Sequence, residues 1–566
     1  MRPTRFDRRG RGDLARRAAT AGRVAHAHPV GLSVSGDVRS VARAWLAAEP
    51  DADLRDELQA LIDGDDATLA ERFDGRLAFG TAGLRAAVGA GPLRMNRLVV
   101  RQAAAGLIDH LLATVPDAAE RGVLIGWDAR RKSDAFALDT ARVAAARGVR
   151  AFVMPRLVPT PVLAWNITRL GCAAGVMVTA SHNPPADNGY KVYLGSGAQI
   201  VPPHDSLIAE AIDRVDPTTV PLSDTDHPLI VTLGDDVIDS YVEWAPSVRL
   251  VRDAPAVRFA YTALHGVGGA VAARVFERAG MGAPIAVAAQ HEPDGSFPTV
   301  SFPNPEEPGA MDLVVDAART SGASIAIAND PDADRLGVAI PTRDEGWRLL
   351  RGDEIGWLLA DHVLRFTSGS DRLMVSTLVS SSLVGKMAAA NGVAYAETFT
   401  GFKWIADAVM RNPDKRLVFA YEQALGYLVA DRPLDKDGIT AAVLMLEVAS
   451  VAAGEGRTIE DRLDDIAGRF GRHVTAETSV RRAPADGVAA VERLRANPPN
   501  AIGGRRVVEV VDYPEATLLR LWLEGVGGAR VRLQVRPSGT EPKVKLYGEA
   551  VGEDPAPFLA ALATLL

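Results

Sequence analysis

The chain has 566 residues, a length that fits roughly three to four globular domains. Hydrophobic residues make up 47% of it and charged residues 24%, a mixture that excludes a mostly disordered, collagen-like or coiled-coil protein. The formal net charge of −8 gives the surface no sequence-independent attraction to nucleic acid or to an anionic membrane, so we expect neither as a partner.

The cysteine content and the apolar runs bear on where the protein works. The single cysteine, Cys172, excludes an intramolecular disulfide and favours a reducing compartment, which we take to be the cytoplasm. No apolar run reaches the ~18 residues of a membrane-spanning helix. Residues 1–40 hold nine arginines and three acidic residues. We interpret them as a disordered or extended segment, with an organelle transit peptide as the alternative.

From about residue 41, short apolar strands alternate with longer helices, an order typical of parallel βαβ units. Asn96 is predicted to cap a helix that runs through Leu112. We assign 41–216 to a first layered α/β domain, followed by a polar, proline-containing linker. The other elements predicted in this first domain are strands 123–126, 151–154 and 173–179 and helices 133–146 and 160–170.

The same order of elements restarts twice, which predicts a second α/β domain at 217–345 and a third at 346–472. The last segment, 473–566, has strand patterns between two helices and is predicted to be an α+β domain. The predicted strands are 257–262, 285–288, 324–328, 373–376, one near Ala394, 417–421, 505–511, 518–523, 531–535 and 544–547.

The segment 179–185 (TASHNPP) follows a predicted apolar strand, and strand ends border the ligand crevice in open α/β sheets. Two prolines stiffen this loop, and the pair NG at 188–189 is predicted to form a tight turn. The loop carries Ser181 beside His182, with Lys191 ten residues further on. A serine that exchanges phosphoryl groups needs such neighbours to handle its proton and to offset phosphate charge. An ordinary polar turn is the alternative.

The segment 330–335 (DPDADR) also follows a predicted strand. Asp330, Asp332 and Asp334 alternate along a short loop, and three hard oxygen ligands suit a small cation such as Mg²⁺. The loop is not an EF-hand, because its sixth position is Arg335 rather than glycine and its twelfth is not glutamate. The Arg335 guanidinium can hold a phosphate bidentately. A solvated acidic turn is the alternative.

Two further segments carry groups suited to a phosphorylated sugar. Segment 536–543 (RPSGTEPK) combines a guanidinium, two hydroxyls and a glycine, which together make a phosphate cradle, with a plain β-turn as the alternative. In segment 421–427 (YEQALGY), the Glu422 carboxylate can bind sugar hydroxyls and the tyrosines can cover a ring face. A helix-start glutamate is the alternative. Segment 265–268 (HGVG) lacks the third glycine of a dinucleotide fingerprint and is interpreted as a strand-to-helix loop.

These segments occur in this order, one in each of the four predicted domains, and together they resemble the α-D-phosphohexomutase family. Residues 181–185 match its phosphoserine loop, 330–335 its Mg²⁺ loop, 421–426 its sugar-binding loop and 536–542 its phosphate-binding loop. The resemblance runs from about residue 45 to the C-terminus.

Three other segments extend the resemblance. Segment 79–85 (FGTAGLR) is similar to the family's N-terminal active-site loop. Segments 400–405 (TGFKWI) and 435–438 (DKDG) are similar to the larger phosphoglucomutase-2-like and phosphopentomutase-like branch. The resemblance implies a heart-shaped enzyme whose four domains surround a central cleft.

The resemblance also implies a role for each matched residue. Ser181 would carry the phosphoryl group, with Lys191 and His182 as acid–base candidates and Arg85 countering phosphate charge. A sugar bisphosphate would be the intermediate and would turn over inside the cleft. One Mg²⁺ ion would be held by Ser181, Asp330, Asp332 and Asp334. The implied substrate contacts are Arg335, Lys403, Glu422, Arg536, Ser538, Gly539, Thr540 and Lys543.

The expected reaction interconverts hexose 1-phosphate and hexose 6-phosphate, of glucose, mannose or both. Ala424 stands where many hexose-specific members carry a serine, so ribose and deoxyribose phosphates stay open as substrates. Two other classes are a metal-dependent phosphomonoesterase and a catalytically silent phosphosugar-binding protein. A separate phosphate cradle favours the mutase, because a hydrolase has no need to grip a turned intermediate. A monomer and a homodimer are both compatible with the sequence.

Overall fold

We describe the fold from a computed structural model, which covers residues 38–80, 83–538 and 542–566. Within these ranges the strands form four sheets that follow one another along the sequence. The first three sheets mix parallel and antiparallel strands and carry helices, whereas the fourth is antiparallel. The predicted fold class is confirmed. Of the N-terminal segment 1–40, residues 1–37 lie outside the described residues, and 38–40 begin the first described helix.

The first sheet positions the Ser181 loop. Its strands are β1 (Leu84–Ala87), β2 (Val123–Trp127), β3 (Ala151–Val153), β4 (Ala174–Val178), β5 (Asp187–Leu194) and β6 (Ile230–Thr232). In the order β1-β5-β4-β2-β3-β6, the last four strands are parallel to one another. Strand β5 runs antiparallel to both of its neighbours, β4 and β1. Because β2 and β4 run parallel, the loops that follow them meet at one edge of the sheet.

Capping side chains fix where several helices of this region begin. The Asn96 side chain accepts a hydrogen bond from the backbone N–H of Val99, as predicted, and Asp65 does the same for Thr68. The helices are α1 (Val38–Ala48), α2 (Ala52–Asp63), α3 (Asp66–Phe73), α4 (Arg97–Thr114), α5 (Ala118–Arg121), α6 (Ser133–Ala146), α7 (Thr160–Leu170) and α8 (His204–Asp213).

The second sheet positions the aspartate loop. Its elements are α9 (Asp236–Trp244), β7 (Phe259–Thr262), α10 (Gly269–Arg278), β8 (Ile285–Ala286), α11 (Asp312–Ser321), β9 (Ile325–Ala328), β10 (Gly337–Pro341) and β11 (Trp347–Leu349). The order is β11-β10-β9-β7-β8, with β9, β7 and β8 parallel. All four residues of β9 are buried, and the aspartates follow directly after it.

The third sheet has the order β13-β12-β14-β15. Its elements are α12 (Gly352–Phe366), β12 (Arg372–Thr377), α13 (Leu383–Ala390), β13 (Ala394–Thr398), α14 (Phe402–Met410), β14 (Arg416–Glu422), β15 (Gly426–Leu428), α15 (Gly438–Gly454) and α16 (Ile459–Phe470). Among the described residues no single helix is long and apolar enough to cross a membrane, and α15 and α16 pass by length and composition only as a pair bent by 89°. Helix α15 is buried along most of its length and belongs to the core.

The fourth sheet has the order β16-β21-β20-β19-β18-β17 and is antiparallel. Its elements are β16 (His473–Arg481), α17 (Pro484–Ala496), β17 (Ala501–Ile502), β18 (Arg505–Tyr513), β19 (Leu518–Glu524), β20 (Arg530–Pro537), β21 (Lys543–Val551) and α18 (Ala556–Ala563). Short 3-10 helices lie at Ala245–Val248, Ala288–Gln290, Pro514–Ala516 and Val526–Gly528.

Two local predictions were wrong or incomplete. The pair Asn188 and Gly189 belongs to β5 rather than to a tight turn. A Cβ at Gly189 would lie 2.5 Å from the carbonyl oxygen of Thr179, so the glycine allows β5 to pass close to the Ser181 loop. Strand β16 was missed because its sequence is rich in polar residues, and only its pairing with β21 defines it.

Polar contacts join the third and fourth domains. The carboxylate of Glu549, in β21, accepts hydrogen bonds from the hydroxyl of Ser381 (2.6 Å) and from the N–H of Ser382 (3.0 Å), and it forms an ion pair with Arg532 at 2.9 Å. The Glu549 carboxylate is almost fully buried, so these partners are needed to offset its desolvation. The contacts to Ser381 and Ser382 therefore tie β21 of the fourth sheet to the loop after β12.

Candidate active site

Ser181 lies on the loop that follows β4, and its side chain is buried. Its hydroxyl donates a hydrogen bond of 2.9 Å to Oδ2 of Asp330 and lies 3.3 Å from Nδ1 of His182. The backbone N–H of Ser181 donates to Oγ1 of Thr179 at 2.8 Å. The serine φ of +53° is a left-handed conformation, which is uncommon outside glycine. The loop therefore holds this hydroxyl in one place against a carboxylate from the second domain.

Arg130 fixes the backbone of the same loop. Its Nη2 donates to the carbonyls of Ser181 (2.5 Å) and Asn183 (2.6 Å), and its Nη1 donates to those of Pro184 (2.7 Å) and Asp187 (3.0 Å). The guanidinium is almost fully buried, and its Nε lies 3.3 Å from Oδ2 of Asp128, which offsets its charge. Arg130 is not among the site residues predicted from the sequence. The signal was available, because Arg130 follows β2, the parallel neighbour of β4.

Asp330, Asp332 and Asp334 converge at the end of β9. One carboxylate oxygen from each lies within 4.8 Å of the others, and all three residues are fully buried. Nζ of Lys191 lies 2.6 Å from Oδ2 of Asp332 and 2.9 Å from Oδ2 of Asp334. Nζ of Lys436 lies 2.8 Å from the same Asp334 oxygen. Two buried ammonium groups therefore offset part of the charge of three buried carboxylates.

The donor set of this cluster fits a magnesium ion. Oδ1 of Asp332 and Oδ1 of Asp334 are buried and have no hydrogen-bond partner among the described residues. A buried carboxylate oxygen without a partner is costly, and ligation of a cation removes that cost. Three aspartate oxygens beside the Ser181 hydroxyl form an all-oxygen set, which is the set that Mg²⁺ prefers.

Burial and neighbouring charges shift the pKa values of these groups, in opposite directions at Asp332 and Lys191 and in the same direction at Asp330 and His182. Burial would raise the pKa of Asp332, but the ammonium of Lys191 holds it well below its ordinary value. Burial would likewise lower the pKa of Lys191, but Asp332 and Asp334 raise it. At Asp330, burial and the two other aspartates together raise the carboxyl pKa. Burial and nearby cations lower the pKa of His182 well below its ordinary value, so its ring is neutral at pH 7.

Two segments outside the aspartate loop support it. Thr160, at the start of α7, donates from its hydroxyl to Oδ2 of Asp332 (2.6 Å) and from its N–H to the Asp332 carbonyl (2.9 Å). The N–H of Val267 donates to the carbonyl of Pro331 at 2.8 Å. A Cβ at Gly266 would lie 2.4 Å from Cα of Pro331. The strand-to-helix loop predicted here is present, and its contact with the aspartate loop was not foreseen.

We expect Gly266→Ala to weaken magnesium binding, because the added methyl group must displace Pro331, which stands between Asp330 and Asp332. A small displacement of ligands that lie at fixed positions should raise the Mg²⁺ dissociation constant about tenfold. Isothermal titration calorimetry with Mg²⁺ measures it. Gly468→Ala is the control, since a Cβ there would have no heavy atom within 4 Å. Equal Mg²⁺ affinities for the two variants would contradict the expectation.

Arg85 and Arg335 approach the serine loop from different domains. Nη1 of Arg85, in β1, donates to Oδ1 of Asn183 at 3.0 Å. The N–H of Arg335 donates to Oδ1 of Asp330 at 3.0 Å, and its Nη1 lies 3.8 Å from Oε2 of Glu306. Both guanidinium groups therefore lie beside the Ser181 loop, where they can neutralise a phosphate.

A second group of predicted residues lies around Glu422. Oε1 of Glu422 accepts a hydrogen bond of 3.0 Å from the N–H of Gly401. Burial lowers the pKa of Lys403 to about 8; Asp205 opposes this effect, and the positive charge of Arg536 adds to it. Lys403, Glu422 and Arg536 are therefore within electrostatic reach of one another, although they come from two domains.

The tyrosines of segment 421–427 do not cover a sugar ring, so this prediction was wrong. Both side chains are fully buried, with the Tyr421 hydroxyl donating to Asp353 (2.9 Å) and the Tyr427 hydroxyl donating to the Gly352 carbonyl (2.9 Å). Their rings stack at a centroid distance of 6.4 Å. They pair across β14 and β15 and point into the core, which leaves Glu422 as the polar group of this segment.

The predicted phosphate cradle lies between β20 and β21. Arg536 pairs with Lys545 across these strands, and the N–H of Ser538 donates to the carbonyl of Lys543 at 2.9 Å. Gly539 and Thr540 lie outside the described residues. The described part places a guanidinium, a hydroxyl and a lysine at one end of the fourth sheet.

The chain matches four family descriptions in sequence order. "Phosphoglucomutase/phosphomannomutase, alpha/beta/alpha domain I" matches residues 76–219, domain II matches 238–344, domain III matches 351–470, and the "C-terminal domain" matches 477–556. Together these segments cover most of the chain.

Individual proteins are similar over nearly their whole length. A "Probable phosphomannomutase" of Haemophilus influenzae is 42% identical over 473 residues, which cover 81% of this chain and 94% of that protein. A "Probable phosphoribomutase" of Schizosaccharomyces pombe is 36% identical over 546 residues, with 89% and 92% covered. A phosphoglucomutase/phosphomannomutase family protein from Burkholderia thailandensis, at 22% identity and a TM-score of 0.68, has the same fold over 86% of this chain and 96% of that one.

Proposed function

This chain belongs to the phosphoglucomutase/phosphomannomutase family, and we propose that it interconverts hexose 1-phosphates and hexose 6-phosphates of glucose, mannose or both. It is an enzyme that moves a phosphoryl group within a sugar phosphate. One observation supports the proposed site most directly: the Ser181 hydroxyl donates to Asp330, inside a buried cluster of three aspartates and Lys191. This contact supports a site in which a nucleophile, a proton carrier and a cation lie together.

Ser181 carries the phosphoryl group in this proposal. The free hydroxyl of the sugar phosphate attacks the phosphorus of phosphorylated Ser181, the new O–P bond forms, and the bond to Oγ of Ser181 breaks. The proton of the sugar hydroxyl passes to neutral His182, and the ammonium of Lys191 supplies a proton to the leaving Oγ. The resulting sugar bisphosphate turns in the site and returns its other phosphoryl group to Ser181 by the reverse step.

Asp330, Asp332, Asp334 and an oxygen of Ser181 would hold one Mg²⁺ ion, which supplies charge neutralisation for the transferring group. Arg85 and Arg335 add positive charge beside the same loop. Such positioning and neutralisation account for most of what phosphoryl transfer requires of a protein.

The residues of the third and fourth domains hold the part of the substrate that does not react. The Glu422 carboxylate accepts hydrogen bonds from sugar hydroxyls. Lys403, which lies within electrostatic reach of Arg536, also binds the sugar. Because the bisphosphate must be held in two orientations, its second phosphate needs a site of its own. We assign that site to Arg536, Ser538, Gly539, Thr540 and Lys543.

A phosphopentomutase is the second candidate. Ala424 provides no hydroxyl beside Glu422, and the Schizosaccharomyces pombe relative, named a probable phosphoribomutase, is 36% identical. A metal-dependent phosphomonoesterase would need an activated water and no second phosphate site.

We also propose domain boundaries after residues 216, 345 and 472. A cytoplasmic location and a monomeric or homodimeric state stay predictions.

The product mixture tests the proposal. We expect glucose 1-phosphate or mannose 1-phosphate, with Mg²⁺ and a trace of the matching sugar bisphosphate, to give the 6-phosphate without free phosphate. Phosphorus NMR resolves isomer and inorganic phosphate in one spectrum. Faster conversion of ribose 1-phosphate under equal conditions would favour the pentomutase, and stoichiometric release of phosphate would favour the hydrolase. No conversion of any of the three would overturn the proposal.

The protonation of Lys403 predicts a pH dependence. Its pKa of about 8 means that the ammonium is present below pH 8 and lost above it, so kcat/KM should fall as the pH rises through about 8. Lys403→Arg keeps its charge and should move this fall to a higher pH. The measurement is kcat/KM between pH 6.5 and about 9.5 for both proteins. An unchanged profile in Lys403→Arg would remove Lys403 from the explanation.

A further inference from the structure

A charged groove of about 650 Å³ lies between the third and fourth domains. A volume of this size is typical of a small-molecule site. Its walls are the β10–β11 hairpin, the first turns of α12, the helix α16 and the segment 471–475 that leads into β16. None of the residues that we assign to catalysis or substrate binding is among its described lining residues.

Four arginines line the groove, and carboxylates neutralise two of them. Arg343 lies 2.5 Å from Oδ2 of Asp464. Arg348 lies 3.0 Å from Oε1 of Glu354 and 3.5 Å from Oε1 of Glu460. These pairs hold the carboxylates in place, and a carboxylate oxygen has further lone pairs that can accept a hydrogen bond.

The other two arginines, Arg351 and Arg472, are exposed and form no ion pair with any residue in the described ranges. Arg351 precedes α12, and Arg472 follows α16, so the two arginines reach the groove from different segments of the chain. Trp357 also lines the groove. Its indole N–H is buried and has no hydrogen-bond partner among the residues that the structure describes. The groove therefore offers two free guanidinium groups, an unused donor and several ordered acceptors.

We propose that this groove is a second, non-catalytic binding site for a small phosphorylated sugar. Arg351 and Arg472 would hold the phosphate, since guanidinium groups pair with phosphate oxygens in a fixed, charge-assisted geometry. Glu354, Glu460 and Asp464 would accept hydrogen bonds from the sugar hydroxyls. The combination of cations at one place and carboxylates at another suits a phosphorylated polyol better than a bare anion, which the carboxylates repel.

Occupation of the groove would connect the start of the third domain with the segment that leads into the fourth sheet. Arg351 lies at the start of the third domain, and Arg472 directly precedes β16, which pairs along its whole length with β21 of the fourth sheet. Because His473 pairs with Val551, a phosphate shared by Arg351 and Arg472 would hold the C-terminal end of β21 close to the third domain. Strand β21 begins at Lys543, in the segment that we assign to phosphate binding, so this constraint would reach that segment along the strand.

Hydrogen exchange with fructose 1,6-bisphosphate as the probe, in the presence of Mg²⁺, tests this site in the full chain. We expect protection of 343–351 and 471–475 in the natural protein. Arg351→Gln with Arg472→Gln should raise the probe concentration needed for that protection by about tenfold or more. Arg493→Gln, which removes an exposed arginine of α17 outside the groove, should change nothing.

Protection around 179–185 and 330–335 reports on the catalytic site in the same experiment, so failure of the proposed function and failure of the groove are distinguishable. Absence of protection at 343–351 and 471–475 in the natural protein would overturn the inference. The same protection at the same probe concentration in the double variant would overturn it too. Because the double variant changes two side chains at once, the single variant Arg472→Gln is measured beside it and should show the same direction of change.

Discussion

Ser181→Ala is expected to reduce kcat by roughly 10⁴-fold or more, because it removes the hydroxyl that carries the phosphoryl group in the proposed reaction. The Ser181 hydroxyl donates to Asp330 at 2.9 Å, and the loop that presents it is held by Arg130 through backbone carbonyls. Those carbonyl contacts do not involve the serine side chain. The substitution should therefore leave the fold intact and change the free energy of unfolding by about 1–3 kcal/mol at most.

Transfer of labelled phosphate from a sugar bisphosphate to the protein measures the effect independently of turnover. The natural protein should become labelled, and Ser181→Ala should not. Ser296→Ala is the matched control, because Ser296 is an exposed loop serine whose hydroxyl contacts only the Asp294 carboxylate in its own turn. Ordinary labelling or ordinary turnover in Ser181→Ala would place the phosphoryl carrier on another residue.

Much of the fold could be predicted because local signals agree with burial. Helices α6 and α7 have the predicted bounds, since each starts at a polar residue after a strand and carries an apolar face. The apolar runs at β4 and β9 are strands that are fully buried, and the two key loops follow them. A buried apolar strand that is followed by polar residues thus predicts both a strand of the sheet and the position of a candidate site.

The contacts between distant segments could not be predicted in the same way. Thr160 and Lys436 reach the site from segments whose own sequence shows only a helix start and a loop. Periodicity gives no information on which side chains meet across domains. The buried tyrosines at 421 and 427 show the converse, because a position next to a candidate carboxylate does not tell which face of the strand it occupies.

Asp332→Asn is expected to raise the Mg²⁺ concentration for half-maximal rate by about 100-fold or more. This increase is larger than the one that follows when a residue that only hydrogen-bonds to a metal ligand is replaced. Oδ2 of Asp332 already accepts hydrogen bonds from Lys191 and Thr160 at 2.6 Å each, while its Oδ1 is buried without a partner among the described residues. An amide keeps the shape of the side chain but removes its negative charge, so the cation loses attraction and Lys191 loses one of the two carboxylates that raise its pKa.

Asp344→Asn, an equal change at an exposed aspartate in the β10–β11 turn, should leave the Mg²⁺ titration as it is in the natural protein. Direct Mg²⁺ binding, measured by calorimetry without substrate, separates loss of the ligand from a slower proton transfer through Lys191. Weaker binding together with a slower rate at saturating Mg²⁺ would place Asp332 in both roles. Binding as tight as in the natural protein would exclude it from the cation site, and Asp330, Asp334 and the Ser181 oxygen would then have to hold the ion.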